Sequence, residues 1–251
     1  MRTTILGLSA VALAAIATPA LAEDAPASDF TVTGGATVVS DYRFRGISQT
    51  DKRVALQGTF TVAHSSGLYA TVWGSSVDDY IAAGSDAELD LIAGWSGTYG
   101  GTTFDVGVLY YYYPGAESFV PGYASDFFEP YASVKHTFGP VTAKLSAAYA
   151  PKQNALSIGA GKEDNLYVAG DLSAAVPGTP LSVSAHLGHS FGPSYLTIGD
   201  EYTDWSVGAS YTWNHITFGV SYVDTDKSLF SPFTGRNISK AGVVGSVGVA
   251  F

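Results

Sequence analysis

The chain has 251 residues, a net charge of −10 and no cysteine, so it holds one large domain or two small ones and excludes disulfides, thiolate zinc sites and acylation on cysteine. Charged residues make up only 14% of it, against about a quarter in ordinary globular domains. The few basic residues are scattered, which excludes nucleic acid as a partner because that needs a clustered basic surface.

Residues 1–22, MRTTILGLSAVALAAIATPALA, carry an early arginine, a short apolar run and small residues before EDAP. This is the layout of a secretory signal peptide, with cleavage expected after Ala22. The run is too short, and too soon ended by Pro19, for a membrane-spanning helix. Residues 23–251 then form one domain, and no later apolar stretch is long enough to span as a helix.

The mature chain alternates with period two almost throughout. Its first segment, 30–45, ends in SDYRFR, which as a strand puts Arg43 and Arg45 on one face and Tyr42 and Phe44 on the other. The next sets Val54, Leu56, Phe60 and Val62 against Ala55, Gln57, Thr59 and Thr61. Further strands are expected at 68–77, 87–98, 102–113, 126–138, 141–150, 165–176, 181–191, 203–213, 216–225 and 241–251. With 30–45 and 54–64 these make twelve, each near the length a tilted strand needs to cross a bilayer.

The connections sort by length. Short ones at 65–67, 99–101, 139–140, 177–180 and 214–215 alternate with longer ones at about 46–53, 78–86, 114–125, 151–164, 192–202 and 226–240. In an up-and-down meander all tight turns then lie at one end and all long loops at the other. Bacterial outer-membrane barrels are built this way, with short periplasmic turns and long extracellular loops. A sandwich or propeller has no reason to sort its loops so.

The expected fold is therefore all-β: a transmembrane antiparallel up-and-down barrel of about twelve strands, closed because lipid cannot satisfy a free edge. Glycines inside strands, such as Gly94, Gly107 and Gly208, give a barrel room to bend. Aromatics near strand ends, as in LYYYYPG (109–115), Trp73, Tyr149 and Trp205, suit interfacial girdles. The chain closes on VVGSVGVAF, whose alternation ending at Phe251 resembles the C-terminal signal read by the outer-membrane assembly machinery.

The stretches SDYRFRGISQT, ALQGTFTVAHSSGLYATVWGSSVDDY and ELDLIAGWSGTYGGTTFDVGVLYYYYPGAESF, with EYTDWSVGASYTW, resemble the TorF family of porins, outer-membrane barrels of Gram-negative bacteria. Ser76 stands where an asparagine is expected in a WGSNVD-like stretch. The resemblance implies a porin-like barrel and brings neither a substrate nor catalytic residues.

If the apolar parity meets lipid and lipopolysaccharide, the other parity lines the lumen. That set holds Asp41, Arg43, Arg45, Gln57, Glu88, Asp90, Asp105, Glu129, Lys135, Lys144, Asp171, His186 and Asp204. A charge facing mid-bilayer lipid would cost about 2–4 kcal/mol, which fixes the parity. His136 falls on the outward side, near a turn. Arg43 and Arg45 then stand at the extracellular mouth, either drawing anions to a constriction or pairing with acids such as Asp41 or Asp51 to pin the first loop. Acids outnumber bases in the set, which favours cations.

The expected function is passive diffusion of small hydrophilic solutes or ions. A plugged barrel that acts as an adhesin or structural protein through its loops, with aromatics such as Phe119, Tyr123, Phe230 and Phe233, is the alternative. A lipid hydrolase built on His186 with Ser182 or Ser184 is the third. Those serines share one strand face with the histidine, and no GxSxG elbow exists. The loop acids Asp78, Asp79, Asp224 and Asp226 lack calcium-loop spacing. No cofactor, metal or catalytic residue is expected, and nothing in the sequence sets an oligomeric state.

Overall fold

The computed structural model describes residues 28–116, 125–159 and 161–251. Residues 1–22, expected as a signal peptide, and the loop residues Phe119 and Tyr123 lie outside them. Fourteen strands are present among the described residues: β1 (Phe30–Val39), β2 (Arg43–Phe44), β3 (Ile47–Ser48), β4 (Ala55–His64), β5 (Leu68–Ser76), β6 (Ala87–Tyr99) and β7 (Thr102–Tyr112). Then follow β8 (Phe127–Phe138), β9 (Val141–Ile158), β10 (Gly161–Ala175), β11 (Leu181–Phe191), β12 (Tyr202–Trp213), β13 (Ile216–Thr225) and β14 (Gly242–Ala250). All but β2 and β3 pair with their neighbours into one closed antiparallel barrel of twelve strands, sealed by β1 against β14. Phe251 extends the seam, exchanging backbone hydrogen bonds of 2.9 Å with Gly34 in both directions.

Alternation produces the two surfaces. Val32, Leu56, Phe60, Val72, Leu91, Leu145, Leu187, Val207 and Val220 are exposed on the outer face. Their inward neighbours include Gln57, Glu88, Asp90, Asp105, Glu129 and Asp204, all buried. A soluble monomer seldom exposes a contiguous apolar patch above about 600 Å²; here the exposed apolar residues recur on every wall strand. The run 110–113 shows the rule at single-residue resolution, with Tyr110 and Tyr112 exposed and Tyr111 and Tyr113 buried.

Two stretches depart from the expected strands. The first strand ends at Val39 rather than at residue 45, and β2 and β3 form a separate hairpin. Its two-residue turn is Arg45–Gly46, with φ of 47° and 79°. Positive φ at both positions is the primed-turn geometry that matches strand twist. Tyr42 and Phe44 are consequently not on the outer girdle: Tyr42 is buried, and both belong to apolar clusters inside the barrel. The second departure is at 151–164, expected as a loop, where β9 and β10 run on as a paired extension with register shifts near Glu163. Its Ala155 and Leu156 are buried against Leu109, Tyr111 and Phe127. Trp73 also points inward, edge-on to Tyr42 at 5.4 Å between ring centres.

Candidate functional site: the barrel lumen

The long-loop end is filled by the chain itself. Residues 40–54 turn into the barrel, where Tyr42, Val39, Ala55 and Val77 cluster with Trp73. Phe44 and Ile81 reach the larger cluster around Leu109, Tyr111 and Phe127, and Ile47 meets Tyr202 and Ile238 from later strands and loops. Tyr111 stacks on Phe127 with ring centres 4.2 Å apart, and Phe44 stands edge-on to Tyr111.

Polar bonds fasten this inturned loop to the walls. Arg45 reaches from the inturned loop to β8 and β10, where its guanidinium donates to both oxygens of Glu129 at 2.7 and 2.8 Å and to Asn165 Oδ1 at 3.0 Å. It also sits 4.2 Å above the ring of Tyr167 and 4.7 Å from that of Phe44. Tyr111 donates to Glu129 at 3.1 Å. Such charge-assisted bonds are the strong ones in a low-dielectric interior. Tyr42 and Tyr113 donate to the two oxygens of Glu88, at 2.7 and 2.8 Å. Asp90, on the same strand face, is buried and its Oδ1 has no partner among the described residues. Arg43 donates to Asp41 at 2.6 Å and to the Gly46 carbonyl at 2.9 Å.

Below the plug, Tyr167 donates to Asp204 at 3.0 Å, and the His186 ring lies between Asp171 (2.7 Å from Nδ1) and Asp204 (3.1 Å from Nε2). Both ring nitrogens are thereby occupied. Among the described residues no serine hydroxyl hydrogen-bonds to His186, so Ser182 and Ser184 form no nucleophile–base pair with it. Tyr69 donates to Asp105 at 2.8 Å. Gln57 Nε2 faces Ser75 Oγ at 3.4 Å. Lys135 and Lys144 are half-buried register partners across β8 and β9. His136 is on the outward parity, its ring 4.3 Å from that of Phe138.

Toward the tight turns the lumen becomes a hydroxyl surface. Thr61 with Thr71, Thr98 with Thr103, Thr137 with Thr142 and Thr212 with Thr217 each join two strands of a hairpin through their side chains at 2.7 to 3.1 Å.

Reading charges alone missed the tyrosines that hold them. Tyr42, Tyr69, Tyr111, Tyr113 and Tyr167 each donate to a lumenal carboxylate. Those on the wall strands share the parity of the acids, which was the available signal. Asn165, also of inward parity, was missed for want of charge.

A family model described as a bacterial protein of unknown function (Gcw_chp) matches residues 23–250. No curated protein matches the sequence. Among solved structures, the NanC porin in a rhombohedral crystal form shares the fold at a TM-score of 0.58, with 11% identity over 88% of this chain and 99% of that one. An outer membrane channel from Pseudomonas putida F1 does so at 0.51, with 11% identity over 91% and 99%. The shared feature is a porin-like barrel.

Proposed function

The chain belongs to the Gcw_chp family of bacterial proteins of unknown function, and we propose that it is an outer-membrane porin through which small hydrophilic solutes diffuse passively. The observation that carries this reading is the closed twelve-strand barrel with an apolar outer belt around an inner face of hydroxyls, carboxylates and ammonium groups. An interior of this polarity suits water and polar solutes, while the belt suits lipid. The sequence likeness to TorF porins agrees with it. On this reading the chain is exported, loses residues 1–22, inserts through assembly machinery that reads the Phe251 strand, and meets lipopolysaccharide through its outer belt. The tight turns face the periplasm and the long loops face outward.

The inturned segment 40–54 would set the narrowest passage, with Arg45 and Glu129 at its centre and Glu88, Asp90 and Asn165 beside them. Lys135, Lys144, Asp105, Asp171, His186 and Asp204 would line the wider part below. No reacting group or cofactor is needed, because diffusion requires only a wet path.

A second reading, a barrel closed at its outer end, is favoured by the same segment: the apolar clusters around Phe44, Leu109 and Ile47 stand where a solute would enter. Single-channel recording of the refolded mature protein in a planar bilayer separates the two. Discrete conductance steps support the channel, and a folded barrel that never conducts transfers the function to the loops.

A further inference from the structure

Counting charges on the inward face favours cations, but pairing changes the balance. Arg45 is engaged by Glu129 and Arg43 by Asp41. Of the lysines and arginines in that inward set, Lys135 and Lys144 are left without an ion pair among the described residues. They face each other as direct register partners near the Gly139–Pro140 turn, and neither has a hydrogen-bond or ion-pair partner among the described residues. Two like charges directly opposite on one sheet face repel. An anion between them would turn that repulsion into attraction.

Of the carboxylates nearby, Asp105 acts electrostatically on both lysines, but none is bonded to either of them among the described residues. Asp105 accepts from Tyr69, and Asp171, the register partner of Lys144 on the other side, gives its Oδ1 to His186 at 2.7 Å. Neutral donors adjoin the lysines instead. Thr103 is the register partner of Lys135, and the hydroxyl pairs Thr98–Thr103 and Thr137–Thr142 flank the two lysines toward the turns. Two compact ammonium charges beside hydroxyl donors, half-buried but open to the lumen, are the chemistry that holds a carboxylate or phosphate group.

We propose that Lys135 and Lys144 form a binding site for a small oxyanion in the tight-turn half of the lumen. The inference rests on the channel reading, because the site fills from the water of the lumen. It names the solute class as small anions bearing a carboxylate or phosphate group.

The test uses inorganic phosphate as the probe and the refolded mature protein in detergent micelles, with binding read from phosphorus resonance broadening. The native protein should broaden the signal saturably. The Lys135→Gln/Lys144→Gln variant should bind about tenfold more weakly or not at all, the loss of charged hydrogen bonds. Lys144→Arg, which keeps the charge, should retain binding and guards against a variant that merely misfolds. Absence of binding to the native barrel, or equal binding by the double glutamine variant, overturns the site. Recording both proteins in a planar bilayer separates the two claims. Conductance with an anion preference lost in the double variant supports both. Conductance with the same selectivity in both proteins overturns the site and leaves the channel. Saturable phosphate binding without conductance keeps the site and overturns the channel.

Discussion

Arg45 on the inturned segment and Glu129 on β8 join opposite parts of the barrel wall through bonds of 2.7 and 2.8 Å, with both side chains almost wholly buried. The pair ties a loop between β1 and β4 to a strand several places around the sheet. It is therefore a tether across the lumen.

Breaking a buried pair by removing one partner costs about 3–5 kcal/mol, because the remaining charge is left without compensation. Here the penalty falls first on the loop, since the barrel wall keeps its own backbone ladder. Arg45→Ala should thus detach the segment rather than unfold the sheet. The expected result is a larger unitary conductance, or new conductance if the native barrel is silent. Trypsin should also cut faster after Arg43 and Arg53 in folded protein. Unchanged conductance and unchanged cleavage would show that the apolar contacts alone hold the loop.

The inner wall also depends on glycines that make room for tyrosines. A Cβ on Gly107 would lie 2.5 Å from the Tyr131 hydroxyl and 2.7 Å from the Ala93 carbonyl oxygen. Neither the backbone nor the ring can yield freely, so Gly107→Ala should destabilise the barrel by about 1–3 kcal/mol, the usual cost of overpacking. Gly170 has nothing within 4 Å of the same position, and Gly170→Ala should be neutral. Urea unfolding in lipid vesicles, following tryptophan emission, compares the two.

The sequence made the wall legible because lipid enforces alternation: a strand that slips by one residue would turn its carboxylates outward. Glu88, Asp105 and Asp204 were placed on the inward face on that ground, and they are buried there. The same rule misplaced Tyr42 and Phe44, whereas Trp73 was set on the girdle for lying near a strand end although its parity on β5 is inward. Once a segment folds inside the barrel, both of its faces meet protein, and parity no longer tells inside from outside. The turn at Arg45–Gly46 also lacked the Asn-Gly or Asp-Gly signature of a two-residue hairpin. The 151–164 extension was hidden for a related reason. Lys152 pairs with Glu163 at 3.7 Å across it, but polar and apolar residues are mixed on both parities of PKQNALSI, so no period stands out.

Parity still makes a sharp prediction where the wall is plain. Val220 is 52% exposed on the outer face of β13, and Ser221 beside it points inward. Val220→Arg would place a charge in lipid and should cost about 2–4 kcal/mol if it lies near the midplane. Ser221→Arg places the same charge in the lumen, where water can meet it, and should cost less than half as much. Equal losses in vesicle unfolding experiments would mean that the outer belt does not face lipid.

Orientation is the remaining geometric claim, and the chain suits its test because it contains no cysteine. The turn at residues 65–67 and the exposed Lys162 beyond β9 lie at opposite ends of the barrel. Ser66→Cys and Lys162→Cys therefore report the two sides independently. In intact cells a membrane-impermeant maleimide should label the Lys162→Cys variant and spare the Ser66→Cys variant, while both react after lysis. The reverse pattern would put the long loops in the periplasm. The inturned segment 40–54 would then close the barrel from inside, and the unpaired lysines of β8 and β9 would stand at the outer entrance.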